Sequence, residues 1–469
     1  MGKAKYLWVV CVFIANSVLA QHDSSRVLHF EAYMDMVKAH HPLAKQADLQ
    51  LEKGDAAVQK ARGGFDPKAY TDLSQKQFEG KEYYRLLDGG LKVPTWFGIE
   101  VKSGFEQNKG TYLNPEHKTP DAGLWYGGIS VPLGQGLFID ERRSELRQAQ
   151  IYKESTKAER QVMLNELLYE SGKVYWDWFV AYNVLKVHEE AVAVADQRLQ
   201  AVKQSALLGD RPAIDTLEAG IQLQSRRLDL QQAQLAFTNT SALLSVYLWA
   251  DGIVPLEIAE GTVPVSMEQI TSVDVDPTLY AQLQALQGNH PELLQSQFKI
   301  DQLVIDRRWK QEQLKPRLNL QYNALSRPVN GNPWSEYSSK NYKWGLEFSM
   351  PVFLRKERGA LKQADLKLQE AQLGLSAKNA SLTYKATASL NEWRTTKEQV
   401  DLYTQTVKDY SGLLSGERRM FDMGESSLFM VNSREAGYIG TQVKLIELMA
   451  KNHKASLASS YALGVLNSQ

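Results

Sequence analysis

Residue types that could support catalysis or metal binding occur in this sequence, but they are scattered. His40 and His41 are adjacent, while His117 and His290 lie far from them. Adjacent histidines on a helix point in different directions, whereas two histidines four residues apart can hold one metal ion. We therefore predict no catalytic residues, no metal site and no cofactor, and we do not expect the chain to be an enzyme.

Two glycine pairs come nearest to a phosphate-binding loop. Gly63-Gly64 and Gly89-Gly90 both lack the lysine and the flanking elements that such a loop requires. The sequence therefore predicts no phosphate-binding loop.

Charged residues gather where a very long helical pattern breaks, in Leu207–Gly220. Gly209 can take the left-handed conformation that ends a helix, Asp210 is a good N-cap, and Pro212 is tolerated in a first helical turn. We predict a tight turn between two helices. A similar break occurs at Met423–Ser427.

The two breaks can be aligned on a shared Ala-Gly pair. Placing Ala219-Gly220 on Ala436-Gly437 gives an offset of 217 residues. The glycines of the turns are then two residues out of register, so we expect the two turns to differ in length. The same offset pairs Glu218 with Glu435 and Asp215 with Asn432.

The first 20 residues have the features of a secretory signal peptide: a basic start, a short apolar core and a small-residue cleavage site. These features are Lys3 and Lys5, Tyr6–Asn16, and Val18-Leu19-Ala20. The single cysteine, Cys11, lies in the apolar core, so disulfide and thiol chemistry is excluded in the mature chain.

The charge balance gives no support for nucleic-acid binding. The signal contains two lysines and no acid, so the mature chain has 52 basic and 54 acidic residues. A nucleic-acid-binding protein usually has a basic face. No apolar stretch of about 18 residues follows the signal, so no transmembrane helix is expected.

Helical periodicity dominates two long parts of the chain. It runs from about Ile139 to Leu208 and resumes from Ala213 to Trp249. A helix of about 70 residues is about 105 Å long, which is too long for a compact domain. The length indicates a coiled coil or a tube.

Apolar residues alternate with polar residues or glycine in residues 97–105, 318–324 and 342–350, and residues 124–131 form a similar run that is rich in aromatic residues and glycine. Strands of about 9 or 10 residues with one apolar face can cross a membrane, although an antiparallel sheet on a soluble core shows the same alternation. The segment from Asp66 to Tyr84 is left as either an extra strand or an insert.

Two observations favour the membrane interpretation. Four tryptophans lie at or near the ends of the strands, as in an interfacial aromatic belt. Few strands are available, so a single chain would leave edges exposed and several chains must contribute to a closed barrel. The tryptophans are Trp96, Trp125, Trp334 and Trp344.

The plan of the first half recurs in the second half, which indicates an internal duplication. We predict a signal at 1–20, a first repeat at 21–250, a connector at 251–277 and a second repeat at 278–469. Strands are expected at about 68–133 and 317–350, and long helical hairpins at 139–249 and 355–465. The predicted fold is mainly α with β: duplicated helical hairpins that form a coiled coil or a tube, plus strands of a transmembrane β-barrel to which several chains contribute.

The order of elements resembles the TolC-like outer-membrane efflux protein family. The resemblance rests on the exported N-terminus, the two glycine-containing helix turns and the proline-marked passages from strand to helix, Ser130-Val131-Pro132-Leu133 and Ser349-Met350-Pro351-Val352. It implies a homotrimer in the outer-membrane lipid that extends into the periplasm. It also implies a passive exit duct of a tripartite efflux or secretion system, with a periplasmic adaptor and an inner-membrane pump as partners.

The resemblance further implies a gate where the helix tips close the tunnel. The paired aspartates of the family fall on Asn432 and Glu435, so one of the two charges is missing here. A latching aspartate falls on Asp215, with Arg211 and Arg434 as candidate ionic partners. The proposed gate residues are Asn432, Glu435, Asp215, Glu218 and Arg434.

The exposed turns are the expected surface for adaptor docking. The residues concerned are Leu208, Gly209, Asp210, Arg211, Met423, Gly424 and Glu425. The alternative function is a periplasmic coiled-coil scaffold or adaptor with a soluble β-domain.

Overall fold

A computed structural model describes residues 26–279, 286–328 and 337–468, together with residues 283, 332 and 334. The expected signal peptide lies outside these residues. So does part of the short helix expected from Tyr280 and part of the loop expected at 326–340.

Most of the described chain is helical, as the periodicity predicts. Two pairs of helices form long antiparallel hairpins, and shorter helices precede each sheet segment. The helices are α1 Phe30–His40, α2 Pro42–Arg62, α3 Glu141–Leu207, α4 Ala213–Ser245, α5 Leu286–Asn289, α6 Pro291–Glu312, α7 Arg355–Asp422 and α8 Leu428–Ala462. Single 3₁₀ turns lie at Gly63–Phe65, Pro115–His117, Met267–Gln269 and Leu466–Ser468.

The strands form one large sheet and two small ones. The six-stranded sheet is antiparallel throughout and has the order β10-β9-β5-β4-β3-β2. β1 pairs with β8 in parallel, and β6 pairs with β7. The strands are β1 Arg26–Leu28, β2 Lys68–Phe78, β3 Lys81–Pro94, β4 Glu100–Lys109, β5 Leu124–Pro132, β6 Trp249–Ala250, β7 Val254–Pro255, β8 Thr262–Pro264, β9 Arg317–Ser326 and β10 Tyr342–Ser349.

The register gives the large sheet one apolar face and one polar face. Leu346 of β10 pairs with Leu320 of β9, which pairs with Val131 of β5. The polar neighbours Glu347 and Asn319 pair on the opposite face. Most of the apolar face is left uncovered by the described residues: Leu73, Leu91, Val101, Ile129, Trp344, Leu346 and Phe348 are all exposed.

The segment from Asp66 to Tyr84, for which the sequence allowed either an extra strand or an insert, belongs to an additional hairpin. β2 and β3 are joined by Glu79-Gly80, both of which have positive φ. A two-residue loop with positive φ at both positions matches the twist of a β-hairpin. The hairpin belongs to the same sheet, because β3 pairs with β4 along Arg85–Pro94.

The main core lies where α1 and α8 pack against the middle of α3. Trp178 and Phe179 have no exposed surface, and Tyr175 is almost as buried. The Tyr175 hydroxyl donates a hydrogen bond to the carbonyl of Leu28 at 2.7 Å. These aromatic residues therefore pack between the helices of the core.

A His-Pro pair begins the corresponding helix in each repeat. His41 and His290 are N-caps, and the Nδ1 atom of each accepts a hydrogen bond from the backbone N–H two residues later, at 3.2 Å. Burial lowers the pKa of both imidazoles. Accepting at Nδ1 requires the neutral ring, so the lowered pKa and the capping role agree.

The described residues contain no helix that is long and apolar enough to cross a membrane.

His453 makes the stability of the main core, where α1 and α8 pack against α3, depend on pH. Its ring stacks on Trp176 with the ring centroids 4.0 Å apart, and burial lowers its pKa to about 4. The unfolded value is near 6.5, so protonation favours the unfolded chain as pH falls from about 6.5 towards 4. We expect acidification over this range to remove up to roughly 3 kcal/mol of stability.

Chemical denaturation at a series of pH values measures this loss. A His453→Gln variant keeps a neutral donor near the Thr271 carbonyl, which lies 3.1 Å from Nε2. The free energy of unfolding of this variant should change less between pH 6.5 and 4 than that of the wild type. A smaller dependence on pH should remain, owing to His41 and His290. If the free energy of unfolding of the variant depended on pH as strongly as that of the wild type, the pH dependence could not be due to His453.

Candidate functional site

The two tips of the helical hairpins are built by the same backbone motif. At the first tip, the N–H of Asp210 donates to Ser205 O at 3.0 Å, and the N–H of Gly209 donates to Ala206 O. The second tip repeats this pair of hydrogen bonds around Gly424, as described for the Schellman motif. Gly209 and Gly424 both have φ of +82°, where a side chain would be strained.

The expectation that the two turns differ in length is wrong. α3 ends at Leu207 and α4 begins at Ala213, while α7 ends at Asp422 and α8 begins at Leu428. Both turns therefore have the same length, and the two tip glycines are 215 residues apart. The Ala-Gly alignment was misleading because the Ala-Gly pair lies inside helices, where small residues are common.

The caps at the two tips differ from each other. Pro212, not Asp210, is the N-cap of α4, and it makes no side-chain cap. At the second tip, Ser427 is the N-cap of α8, and its side chain accepts from Met430 N. Its neighbour Ser426 hydrogen bonds to Glu417 on α7, so the second turn is also tied to the preceding helix.

A buried carboxylate lies at the centre of the polar residues near the tips. Glu435 on α8 is only 4% exposed. Its Oε2 atom forms an ion pair with Arg198 on α3, and Arg418 on α7 approaches it at 3.5 Å. Three helices from the two different hairpins therefore meet at one carboxylate.

Asn432 extends this cluster to the fourth helix. Its Oδ1 atom accepts from Arg198 Nη1 at 2.9 Å, and its Nδ2 atom donates to Glu218 Oε1 on α4 at 3.0 Å. The amide uses both of its functions here, as acceptor and as donor. An aspartate at this position could not donate to Glu218, so the asparagine suits the arrangement.

The remaining predicted gate residues lie beside this cluster. Arg434 pairs with Glu417 on α7, with Nε 3.6 Å from Oε2. Asp215 pairs with Arg211 at 3.8 Å, one helical turn earlier. The guanidinium of Arg211 also lies 3.9 Å from the ring centre of Phe421, which joins the first tip to the second.

The structure thus brings Asn432, Glu435 and Glu218 together and places Asp215 and Arg434 in separate pairs. Sequence reasoning missed Arg198, Arg418 and Glu417. Arg198 lies 234 residues from Asn432 along the chain, and no spacing in the sequence connects the two. We define the tip cluster as Arg198, Glu218, Arg418, Asn432 and Glu435.

The turns themselves expose apolar side chains to water. Leu207 and Leu208 are 88% and 78% exposed, and Met423 and Phe429 at the second tip are similarly open. Large apolar side chains at the end of a long hairpin have little to pack against in a single chain. No group of three or more His, Cys, Asp or Glu among the described residues could hold a metal ion.

Comparison with known proteins connects this geometry with a family. Residues 282–464 match the family model for outer membrane efflux proteins. This is the family that the sequence resembles. The matched residues include the second tip. A comparison with curated proteins found no match.

Solved structures of outer-membrane channels share the fold over nearly the whole chain. The Campylobacter jejuni CmeC channel is 14% identical with a TM-score of 0.67, over 93% of this chain and 86% of that one. The open-state Neisseria gonorrhoeae MtrE channel is 12% identical with a TM-score of 0.68, over 93% and 88%. Vibrio cholerae VceC is 13% identical with a TM-score of 0.64, over 93% and 96%. These matches confirm the predicted mainly helical fold, with long helical hairpins joined to β-strands.

Removing the arginine of the tip cluster should destabilise the joined hairpins. Without Arg198, the buried Glu435 keeps only Arg418, whose own side chain is 44% exposed. Breaking a buried pair by removing one partner costs about 3–5 kcal/mol. We expect Arg198→Ala to lower the free energy of unfolding by an amount of that order, measured by denaturant titration of circular dichroism.

Arg227 on α4 offers a control because it forms an exposed pair with Asp196 on α3, the helix that also carries Arg198. Arg227→Ala should cost less than about 1 kcal/mol. The double variant Arg198→Met, Glu435→Leu removes both charges and should be more stable than Arg198→Ala. Equal losses for Arg198→Ala and Arg227→Ala would show that the tip cluster contributes no special stability.

Proposed function

We propose that this protein is the outer-membrane exit duct of a tripartite efflux or secretion system and conducts its cargo passively. The single observation that carries this proposal is the large sheet, whose apolar face is uncovered and whose other face is polar. Lipid suits the apolar face, and a water-filled lumen suits the polar one. The family match of the second repeat supports the same conclusion.

The long hairpins are suited to carry the duct away from the membrane. α3 has 67 residues and α7 has 68. At about 1.5 Å per residue, each helix is about 100 Å long. We place these hairpins in the periplasm, because the strands at their far end belong in the outer membrane.

An exposed apolar seam supports assembly of several copies, and we propose the homotrimer. Ile214, Leu217, Ile221, Leu228 and Leu235 on α4 are exposed. Their spacings of three, four and seven residues are those of a coiled-coil seam. A second copy that packs on α4 would bury this seam and form the wall of a tunnel.

The tip cluster is proposed as the gate. Arg198 and Glu435 join the first hairpin to the second within one chain, and Asn432 adds a contact to Glu218. Loss of these contacts would allow the second hairpin to move relative to the first. The carboxylate of Glu435 is neutralised by arginines in this arrangement, so it acts here as a latch rather than as a free charge in a ring.

The exposed turns are proposed as the docking surface for a periplasmic adaptor, which would in turn engage an inner-membrane pump. The apolar side chains of Leu207, Leu208 and Met423 are open at the very end of the hairpins. An adaptor bound there would contact both tips at once, because Arg211 of the first tip lies over Phe421 of the second.

The other interpretation from the sequence was a periplasmic scaffold or adaptor with a soluble β-domain. A soluble sheet covers its apolar face with helices or a second sheet. In the part of the chain that the structure describes, Leu346 and Phe348 remain 55% and 66% exposed. This exposure favours the membrane duct.

Planar-bilayer recordings test the duct and its gate together. We expect the purified protein to insert and to give small or rare ion currents, because the tip cluster holds the hairpins together. Glu435→Ala should raise the conductance or the open fraction several-fold. Glu447→Ala is the matched control, since Glu447 lies on the same helix in an exposed pair with Lys444, and its currents should equal those of the wild type.

Insertion without any current, even for Glu435→Ala, would contradict passive conduction. Equal currents for Glu435→Ala and the wild type would retain the duct and reject the gate. A protein that remains monomeric and soluble without detergent would reject the membrane duct itself.

A further inference from the structure

The two edges of the six-stranded sheet lack partners within the described chain. β2 and β10 are the outer strands, and nearly every residue of both is exposed. Unpaired backbone N–H and C=O groups are costly in lipid, where water cannot satisfy them. If the sheet lies in a membrane, each edge therefore needs another strand.

The additional hairpin is built into the wall of the sheet rather than lying beside it. On the polar face, the Tyr126 hydroxyl of β5 donates to Asp88 Oδ1 of β3 at 2.7 Å. It also pairs with the Tyr70 hydroxyl of β2. Tyr126 crosses over Gly104 of β4, where a Cβ atom would lie 2.6 Å from the hydroxyl.

The division into an apolar and a polar face continues to the β2 edge. Leu73 of β2 pairs with Leu87 of β3 on the apolar face, while Asp72 pairs with Asp88 on the polar face. The charged residues of β2 all lie on the polar side, and the ammonium of Lys92 sits 4.1 Å from the ring centre of Tyr70 there. These residues are Lys68, Asp72 and Lys76.

The directions of the two edges allow a closed ring. Six antiparallel strands alternate in direction, so β2 runs opposite to β10. Rotation about the axis of a barrel keeps both the strand direction and the outward face of every copy. β2 of one copy and β10 of the next therefore meet antiparallel, with their apolar faces on the same side. This contact is head-to-tail, and a head-to-tail contact forms a ring when the rotation between copies closes.

We propose that the β2 edge binds the β10 edge of a second copy of this chain. This inference rests on the proposed trimeric duct. Three copies of the six-stranded sheet then form an 18-stranded barrel. Barrels of about 16–18 strands leave an aqueous channel, whereas about 8 strands are filled by side chains. The β2–β3 hairpin thus widens the lumen and supplies one side of every subunit interface.

Cysteine cross-linking tests this pairing, because the mature chain has no cysteine of its own. Cysteines at Thr71, Leu73 or Gln75 of β2 are combined with cysteines at Leu346 or Phe348 of β10. All five positions lie on the apolar face and are exposed. A short thiol cross-linker is applied to the protein in outer-membrane vesicles, and products are separated on denaturing gels.

Ser103 of β4 provides the matched control. It lies on the same apolar face and is exposed, but β3 and β2 separate it from the sheet edge. At about 4.8 Å per strand, its distance from a neighbouring β10 is about 14 Å. Ser103→Cys is combined with the same β10 cysteines.

At least one β2–β10 combination should give covalent dimers and trimers and no larger species, while the Ser103 combinations give none. Cross-linking of Ser103 to β10 without cross-linking of β2 would overturn the pairing and leave a trimeric duct intact. Products larger than a trimer would overturn the count of 18 strands. Cross-linking of no pair, in variants that still conduct in bilayers, would overturn the pairing alone. Monomers without conductance would reject the proposed function as well.

Discussion

The large sheet has two features that call for a partner which the described part of its own chain does not supply. Its apolar face is uncovered, and its outer strands have unpaired backbone groups. The exposed apolar face and the unpaired strand edges are each unfavourable in water, where such surfaces promote association. Lipid satisfies the first, and further copies of the chain satisfy the second. The membrane location and the oligomer are therefore linked through one element, and the long hairpins extend from it.

The tip cluster at the other end of the molecule meets a different physical demand. A buried carboxylate is costly unless it is paired, and Glu435 is paired with Arg198 of the other hairpin. Such a pair is specific in geometry but contributes little net stability compared with an apolar contact. That balance suits a latch, since the contact fixes one arrangement and can be exchanged for water when the hairpins separate. The exposed leucines of the tips lie within a few helical turns of this latch, so docking and opening can be coupled.

The sequence predicted the parts of the fold that depend on local periodicity. The strands around Leu320 and Leu346 alternate cleanly, and the long helices repeat at three and four residues. β2 was harder, because its apolar face carries Thr71 and Gln75 beside Leu73, which weakens the alternation. The glycine-ended turns were predictable, since Gly209 and Gly424 each follow a helix. Their equal length was not, because the alignment relied on the Ala-Gly pair instead of the glycines.

The candidate site shows where sequence reasoning stops. Glu435, Asn432 and Glu218 came from resemblance and from position near the turns, and the structure joins them. Arg198 was missed because its contacts cross to the other hairpin, and Arg418 was missed because its contact with Glu435 crosses from one helix of the second hairpin to the other. Without the relative register of the two hairpins, the sequence could not distinguish the arginine on α3 that contacts Glu435 from the other arginines of that helix.

The central claim is that the sheet separates lipid from water, and accessibility of neighbouring residues on β10 tests it most directly. Single cysteines at Leu346 and Glu347 project from opposite faces of one strand. A bimane label at position 346 should be quenched by brominated lipid, while a cysteine at 347 should react with a charged, membrane-impermeant thiol reagent. Equal reaction of both positions with the water-soluble reagent, without quenching by lipid, would contradict the account.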